Sequence, residues 1–366
     1  MYQEGPTRIT VKENVFFNPR MEICRDFSSL FVGSIDEELQ ICDGMCGTGV
    51  RGIRYLLENK NVKNVIFVDN NKVACENVEE NLKLNELNTD TNVKVINDDI
   101  NHFLYLTREK FNFIEIDPFG SPVPFVRSAL FRLREKGGYL SVTATDAPVL
   151  CGVQKIACEN NYLSKPIHNY FCHETGIRIL IGYISKVAAP LHLGIIPLFS
   201  LSKNHFFKVF MKVEKGSKKA NESVNNLGFI FWCKNCFNTN FSNEPFEERY
   251  CECKNKKDYA GPLWIGKIFD ENVIEKMISE NEVRNYKNKV EIRKILTTTK
   301  EESKINTPYY FDLHEIFKKL KIPAQSFEKI MEKIKNKGHK VSRTHFNENA
   351  IRTDAPSKII FESIKS

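Results

Sequence analysis

The sequence predicts an α/β protein, with a Rossmann-like, doubly wound sheet in its N-terminal part and a smaller C-terminal α+β domain. Three observations predict it. From about residue 38, short apolar runs alternate with amphipathic stretches; a glycine-rich loop follows the first run; and a cysteine cluster with a change in charge marks the second half. Alternating strand-like and helix-like segments are the rhythm of βα units, which bury their faces as a parallel sheet with right-handed crossovers.

In chain order, Leu39–Asp43 reads as a strand, Gly49–Glu58 as a helix, Val65–Asp69 as a strand and Lys72–Asn85 as a helix. Val93–Ile96 is the next strand, Asp99–Tyr105 a short helix, Phe111–Ile116 a strand ending at Asp117, Phe125–Leu133 a helix and Tyr139–Ala144 a fifth strand. The apolar runs Ile177–Ser185 and Phe206–Val213 read as strands that extend or edge the same sheet. Lys215–Asn226, KGSKKANESVNN, is polar and charged and reads as a linker. It divides residues 1–215, an arm plus the sheet, from residues 227–366, a cysteine module followed by helices such as Glu315–Leu320 and Ser326–Lys337.

The chain has 366 residues, 42% hydrophobic, 11% aromatic and 27% charged, a composition that excludes a disordered or fibrous protein. The longest apolar stretch, Ile179 to Leu201, is broken by Lys186, Pro190, His192 and Pro197 and reads as buried strand and loop, not a membrane span. The N-terminal residues lack an apolar secretion signal, so a cytoplasmic location is expected. Seven of the eleven cysteines are scattered before residue 173, which argues against a disulfide framework. Residues 1–200 carry 21 Lys and Arg against 24 Asp and Glu, and residues 201–366 carry 32 against 22. Such asymmetry points to a small-molecule site in the first part and a polyanion, most simply nucleic acid, at the second.

The loop after the first strand runs Asp43-Gly44-Met45-Cys46-Gly47-Thr48-Gly49-Val50-Arg51-Gly52. Gly47, Gly49 and Gly52 match G-x-G-x-x-G, which brings backbone N–H groups up to a ligand at a helix N-terminus. Asp69, twenty residues after Gly49, ends the second strand and can accept hydrogen bonds from ribose hydroxyls. To this point NAD and S-adenosylmethionine fit equally. Asp98 and Asp99 follow the third strand, where a carboxylate can meet an adenine amino group. The fourth strand ends in Asp117-Pro118-Phe119-Gly120, a carboxylate, a rigid turn and an aromatic ring at the cleft, for which a nicotinamide site has no use.

Chemistry explains these residue types. An exocyclic amine of a base is a weak nucleophile because its lone pair is delocalised into the ring. Asp117, helped by the Pro118 carbonyl, can accept the amine's hydrogen bond and its proton, while Phe119 stacks on the base. An adenine amine is the alternative target, but its usual turn has a second proline where Phe119 stands. Upstream, Phe16-Phe17-Asn18-Pro19-Arg20-Met21 and Arg25 read equally as a lid over the cleft or as a packed N-terminal arm.

Together, Val15-Phe16-Phe17-Asn18-Pro19-Arg20-Met21, Gly47-Thr48-Gly49-Val50-Arg51-Gly52, Asp117-Pro118-Phe119-Gly120-Ser121-Pro122, Thr143-Ala144-Thr145-Asp146-Ala147 and Ser342-Arg343-Thr344-His345-Phe346 closely resemble the tRNA guanine-N2 dimethyltransferases that act at position 26. The resemblance spans nearly the whole chain. It implies a class I methyltransferase sheet and two transfers from S-adenosylmethionine to one guanine amine. It also implies that Arg25 and Arg51 bind the methionine carboxylate region, Asp69 the ribose, and Asp99 with Ile100 the adenine. Asp117 is then the base, and Phe16 and Phe119 line the guanine pocket. Met45 and Cys46 depart from the small residues expected in the glycine loop, which bears on packing around the cofactor.

Cys233-x-x-Cys236 and Cys251-x-Cys253, fourteen residues apart, offer four soft ligands for a structural zinc with no open position for catalysis. Downstream, Lys333, Lys335, Lys337, Lys340, Arg343 and Arg352, interleaved with His339, His345 and Phe346, read as a surface for tRNA phosphates. Nothing in the sequence calls for a membrane or an obligate protein partner.

Overall fold

A computed structural model describes residues 1–87, 93–133, 136–245 and 250–365. The chain opens with a hairpin, β1 (Tyr2–Glu4) and β2 (Thr7–Ile9), then helix α1 (Glu22–Gly33). The βα alternation follows as β3 (Leu39–Gly44), α2 (Val50–Glu58), β4 (Val62–Asp69), α3 (Lys72–Leu84), β5 (Val93–Asn97), α4 (Ile100–Leu106), β6 (Phe113–Ile116), α5 (Val123–Leu133) and β7 (Gly138–Ala144). Helices α6 (Ala147–Leu150), α7 (Lys155–Tyr162) and α8 (Cys172–Ala188) lead to the long strands β8 (Leu193–Lys203) and β9 (Phe206–Lys215).

Among the described residues the central sheet has seven strands in the order β5-β4-β3-β6-β7-β9-β8, the first five parallel and the last two antiparallel. The chain reverses direction across the sheet between β3 and β6, so the crevice beyond their carboxyl ends is where such a fold binds ligands. The glycine loop and Asp117 leave those two strands, in register at Gly44 and Ile116. Gly52 keeps α2 tight on β4, because a Cβ there would collide with the Phe67 ring.

Two sequence expectations are corrected. Ile177–Ser185 is not a strand but lies within the 17-residue helix α8. Its apolar residues Ile177, Ile179, Leu180, Ile181 and Ile184 are all fully buried, because the helix is covered by the sheet on one flank and by later strands on the other. A helix apolar all round shows no amphipathic stripe, so its sequence is indistinguishable from a buried strand. For the same reason the Ile179–Leu201 stretch is helix and then strand, not strand and loop. Lys215–Asn226 is not a free linker: it contains α9 (Ser217–Val224), which buries Ala220 and Ser223 against β8.

The rest of the chain forms, among the described residues, two three-stranded sheets and five helices. One sheet is β10 (Leu227–Trp232), β11 (Thr239–Ser242) and β12 (Asp258–Trp264), with β12 against α8; Gly182 of α8 approaches the Leu263 backbone closely enough that a Cβ would lie 3.0 Å away. Helices α10 (Glu271–Val283) and α11 (Lys289–Glu302) pack as a pair, and α10 rests on α1. The other sheet is β13 (Phe311–Asp312), β14 (Val341–Arg343) and β15 (Ala350–Thr353), flanked by α12 (Leu313–Leu320), α13 (Phe327–Asn336) and α14 (Ser357–Lys365). No helix among the described residues is long and apolar enough to cross a membrane.

A buried ionic network joins the two parts. Arg352 Nη1 and Nη2 meet the Glu174 carboxylate of α8 at 2.9 and 2.7 Å, and Nη2 lies 3.2 Å from Glu302. Glu302 also accepts from Thr344 Oγ1 and binds His345 Nδ1, both at 2.5 Å. Arg352, the His345 ring and Phe346 are therefore interior groups and not part of an RNA-facing surface. Burial alone would raise the Glu302 pKa, but His345, Arg352 and the Thr344 hydroxyl outweigh it and bring it from 4.5 to about 2. Because the folded-state value lies below the ordinary one, this stabilisation is complete above pH 4.5 and is lost as pH falls toward about 2. Urea denaturation of Glu302→Gln should show a loss of about 3–5 kcal/mol at pH 7. The gap to wild type should narrow steadily below pH 4.5; a gap independent of pH would contradict the assignment.

Candidate active site

Four strand ends supply the site. The loop after β3 takes positive φ at Met45 (56°), Gly47 (54°) and Gly49 (73°). Gly49 is the N-cap of α2. The Cys46 N–H donates to the Val68 carbonyl at 3.2 Å, which ties the loop to β4, so Met45 and Cys46 are accommodated within the turn. At the end of β4, Asp69 accepts from Gly47 N and Asn71 N, both at 2.9 Å. These two N–H donors fix the carboxylate's orientation and leave lone pairs directed into the crevice. A Cβ on Gly47 would sit 3.1 Å from the Phe16 carbonyl, so only glycine lets the N-terminal arm close over the loop without displacement.

Beyond β5, Asp98 pairs with His102 Nδ1 at 2.8 Å, and Asp99 caps α4 by accepting from Asn101 N at 2.9 Å and His102 N at 3.1 Å. Ile100 is buried against Gly44, where its side chain forms a wall beside the loop. The glycine loop, Asp69, Asp98, Asp99 and Ile100 thus share one edge of the sheet.

On the other side of the switch point, Asp117 leaves β6 and forms an ion pair with Arg51 Nη2. Arg51 Nη1 donates to Ser28 Oγ at 2.7 Å and lies 4.0 Å from Glu115. Glu115 is fully buried and is balanced by Lys208 of β9 and by the Tyr55 hydroxyl at 2.8 Å; Lys208 also donates to Thr143 Oγ1 at 2.9 Å. Burial pushes the Asp117 carboxyl upward, but Arg51, Lys208 and a hydrogen bond with Thr143 outweigh it and hold it below the usual carboxylate range. Burial raises the neighbouring Asp43 to about 7 despite Arg51, with Glu115 adding to the rise. Of the carboxyl groups here, Asp117 is the ionised one that reaches the crevice.

The same turn and the N-terminal arm each present an exposed ring, and the two rings meet. Phe119 is 71% exposed and Phe16 is 55% exposed, with centroids 4.1 Å apart and planes at 83°. The arm folds over the cleft, as one of the two readings of its sequence has it. Arg25, however, is buried and engaged: its Nε donates to Glu4 at 2.7 Å, its Nη2 contacts the same carboxylate, and Nη2 donates to the Asn18 carbonyl at 3.1 Å. It braces the arm much as Arg51, equally buried, braces the Asp117 turn.

Sequence reasoning missed Glu115, Lys208, Ser28 and Thr143. A signal existed for two of them: Glu115 and Lys208 are single charges inside apolar strand sequences, and a charge there must be paired.

Apart from this cleft, the four sulfurs of Cys233, Cys236, Cys251 and Cys253 lie within 4.8 Å of one another, with Cys233 and Cys253 3.5 Å apart and Cys236 and Cys251 3.2 Å apart. A tetrahedral zinc with Zn–S of about 2.3 Å separates its sulfurs by roughly 3.8 Å, so the donor set and spacing suit that ion.

If Arg51 is what holds Asp117 ionised, ¹³C NMR titration of the Asp117 carboxyl should give a higher pKa in Arg51→Met than in wild type. An unchanged value would assign the effect to other groups.

The sequence pattern of the N2,N2-dimethylguanosine tRNA methyltransferase family matches residues 2–365. Curated relatives named tRNA (guanine(26)-N(2))-dimethyltransferase include one from Methanobrevibacter smithii, 37% identical over 379 residues and covering 100% of this chain and 96% of the relative. Another, from Methanocaldococcus jannaschii, is 36% identical over 371 residues, covering 99% and 96%. Among solved structures, Trm1 from Pyrococcus horikoshii in complex with S-adenosyl-L-methionine is similar with a TM-score of 0.89 and 32% identity over 99% of this chain and 98% of that one. With the glycine loop, the Asp117 turn and the aromatic pair on one sheet edge, this chain belongs to the N2,N2-dimethylguanosine tRNA methyltransferase family.

Proposed function

We propose that the protein transfers two methyl groups from S-adenosylmethionine to the exocyclic N2 of guanine 26 of tRNA, giving N2,N2-dimethylguanosine. Family membership supports the reaction, and the single observation that carries the assignment of residues is Asp117, held below the usual carboxylate range at the start of the turn whose Phe119 ring meets Phe16. When bound, S-adenosylmethionine supplies an electrophilic methyl group, and its sulfur keeps the electrons of the broken C–S bond.

The chain's own residues would act as follows. Gly47 and Gly49 give the cofactor close access to backbone, Asp69 accepts from ribose hydroxyls, and Asp98, Asp99 and Ile100 frame the adenine. Arg51 faces the carboxylate end, with Arg25 bracing the arm behind it. Phe16 and Phe119 line the pocket of a guanine removed from its own stack. Asp117 and the Pro118 carbonyl accept hydrogen bonds from the N2 amine, aligning its lone pair for in-line attack. As the new N–C bond forms the nitrogen becomes cationic, and its proton passes to Asp117 or to water. A carboxylate kept weakly basic suffices, because a ring amine that has gained a methyl and a positive charge is a strong acid.

We assign the other parts accordingly. Cys233, Cys236, Cys251 and Cys253 hold a structural zinc that braces the β10–β12 sheet. Residues 1–215 act as the catalytic domain and residues 227–366 as the tRNA-presenting domain, working in the cytoplasm. The exposed lysines Lys335, Lys337 and Lys340 and the half-buried Lys333 on and after α13 are the candidates for phosphate contact that survive from the basic cluster.

Mass spectrometry of nucleosides should detect N2,N2-dimethylguanosine in an unmodified tRNA transcript after incubation with protein and S-adenosylmethionine, and none when position 26 is not guanine. Methylation independent of position 26 would discard the substrate. Asp117→Ala should lower the transfer rate by about 10²–10⁴-fold while calorimetry still detects cofactor binding. Elemental analysis should find about one zinc per chain, lost in Cys236→Ser together with melting temperature and not with the chemistry of the intact site.

A further inference from the structure

The turn that carries Asp117 and Phe119 is anchored at its start by the Arg51–Asp117 ion pair and the buried Pro118, but its outer half has little packing of its own. Gly120 has φ +76°, a Cβ added there would meet nothing within 4 Å, and the Phe119 ring, though it meets Phe16, is mostly in solvent. That half takes its position largely from hydrogen bonds. Gly120 N donates to Thr145 Oγ1 at 2.8 Å, and Thr145 N donates to the Gly120 carbonyl at 2.9 Å, which zips the turn to the loop after β7. The closing bridge comes from outside the sheet. Tyr162, at the end of α7 and fully buried, accepts from Ser121 Oγ at 2.9 Å and donates to the Asp146 carboxylate at 2.9 Å. Ser121 directly follows Gly120, and Asp146 directly follows Thr145.

The backbone behind that phenol is tied to the strand that follows the cysteine module. Lys186 Nζ donates to the carbonyls of Tyr162 at 3.0 Å and Leu163 at 2.9 Å, and reaches Pro262 of β12 at 3.4 Å. Lys165 exchanges both backbone hydrogen bonds with Gly261 at 2.9 Å. Its ammonium pairs with Asp258 at 2.7 Å and lies 3.8 Å from the centre of the Tyr259 ring. A continuous series of contacts thus runs from the strand five residues beyond Cys253, through Tyr162, to the turn bearing Asp117.

We infer that Tyr162 is a positioning residue for methyl transfer: its hydroxyl holds the Asp117–Gly120 turn at attack geometry, and its backbone transmits to that turn the placement of the strand beyond the cysteine module. The inference rests on the methyl-transfer function proposed above. The cofactor contacts proposed above lie on the loops after β3, β4 and β5, and Arg51, which also meets the turn, is held on its other side by Ser28, so a shifted turn slows chemistry more than it loosens the cofactor; misplacement by about 1 Å costs on the order of 100-fold in rate.

The test uses the full chain and a guanine-26 tRNA transcript. Tyr162→Phe keeps the ring and removes only the bridge. Its kcat should fall about 10- to 100-fold, with the cofactor Kd and the KM for tRNA within about twofold of wild type. Adding Ser121→Ala to Tyr162→Phe should cost less than about twofold more, since both changes break one bridge. Lys186→Met, which frees the backbone behind the phenol, should also lower kcat without weakening the cofactor. A Tyr162→Phe enzyme with unchanged kcat, or one whose cofactor binding weakens in step with kcat, overturns the positioning role. If that variant does not fold, Ser121→Ala alone takes its place: the same fall in kcat at constant cofactor Kd supports the role, and an unchanged kcat overturns it. A wild-type protein that binds the cofactor but methylates no tRNA overturns the functional reading itself, an outcome distinct from a failed variant of an active enzyme.

Discussion

Two buried cations, Arg51 and Lys208, set against Glu115 and Asp117, are the interaction on which the active site depends. Each charge alone would be expensive in the interior, and removing one partner would leave another uncompensated. The cluster spans four elements: Arg51 comes from α2, Glu115 from β6, Asp117 from the turn beyond it and Lys208 from the antiparallel strand β9. The two strands added beyond the parallel sheet therefore do more than lengthen it. They deliver the ammonium that pairs with a fully buried glutamate two residues before Asp117. Asp43, where burial outweighs the pull of Arg51, is pushed to about 7, while Asp117 is held low. The same stretch of sheet thus holds a carboxyl that is partly protonated at neutral pH and one that is not.

Helix α8 is the second organising element, and it explains why the two parts of the chain keep a fixed relation. One flank covers the sheet and the other receives β12. Its Glu174 binds Arg178 at 2.9 Å within the helix and Arg352 across it, while Arg178 donates to the carbonyls of Trp264 at 3.1 Å and Gly266 at 2.8 Å. In the proposed division of labour, an RNA held on the C-terminal part presents one base to a pocket formed by the N-terminal part. A hinge between them would scatter that base over many positions, whereas a buried, bidentate ion-pair network does not.

Most of the parallel sheet was legible, because each βα unit is half exposed and carries its period openly. What failed were the segments whose periodicity is erased by burial or disguised by composition. In α8 apolar residues face both ways, so no stripe marks the helix. In α9 the polar composition of a linker hides Ala220 and Ser223, the two residues that pack. The glycine loop, Asp69 and the Asp117 turn were legible because local chain geometry demands those residue types. Lys208, Ser28 and Thr143 were not, because their roles depend on strands and helices distant in sequence meeting in space. Arg352 and His345 show the converse: a basic cluster read as a surface contains interior groups, since only the fold reveals that Glu174 and Glu302 await them.

The balance at Asp117 also bears on why a single pocket can act twice on one amine. A strong base would be useful only for removing a proton before attack, and the second transfer offers one N–H fewer to remove. A weakly basic carboxylate is suited instead to accepting a hydrogen bond from whichever N–H remains and to taking the proton after the nitrogen has become cationic, which works for both transfers. Steric room is the other requirement. The amine's first methyl group has to sit beside the turn, and there Gly120 leaves open space while Phe16 and Phe119 meet edge to face without a third wall. A base held beside these rings but unconfined at its edge can gain a methyl group without losing its place, provided that the turn itself stays where its hydrogen bonds hold it.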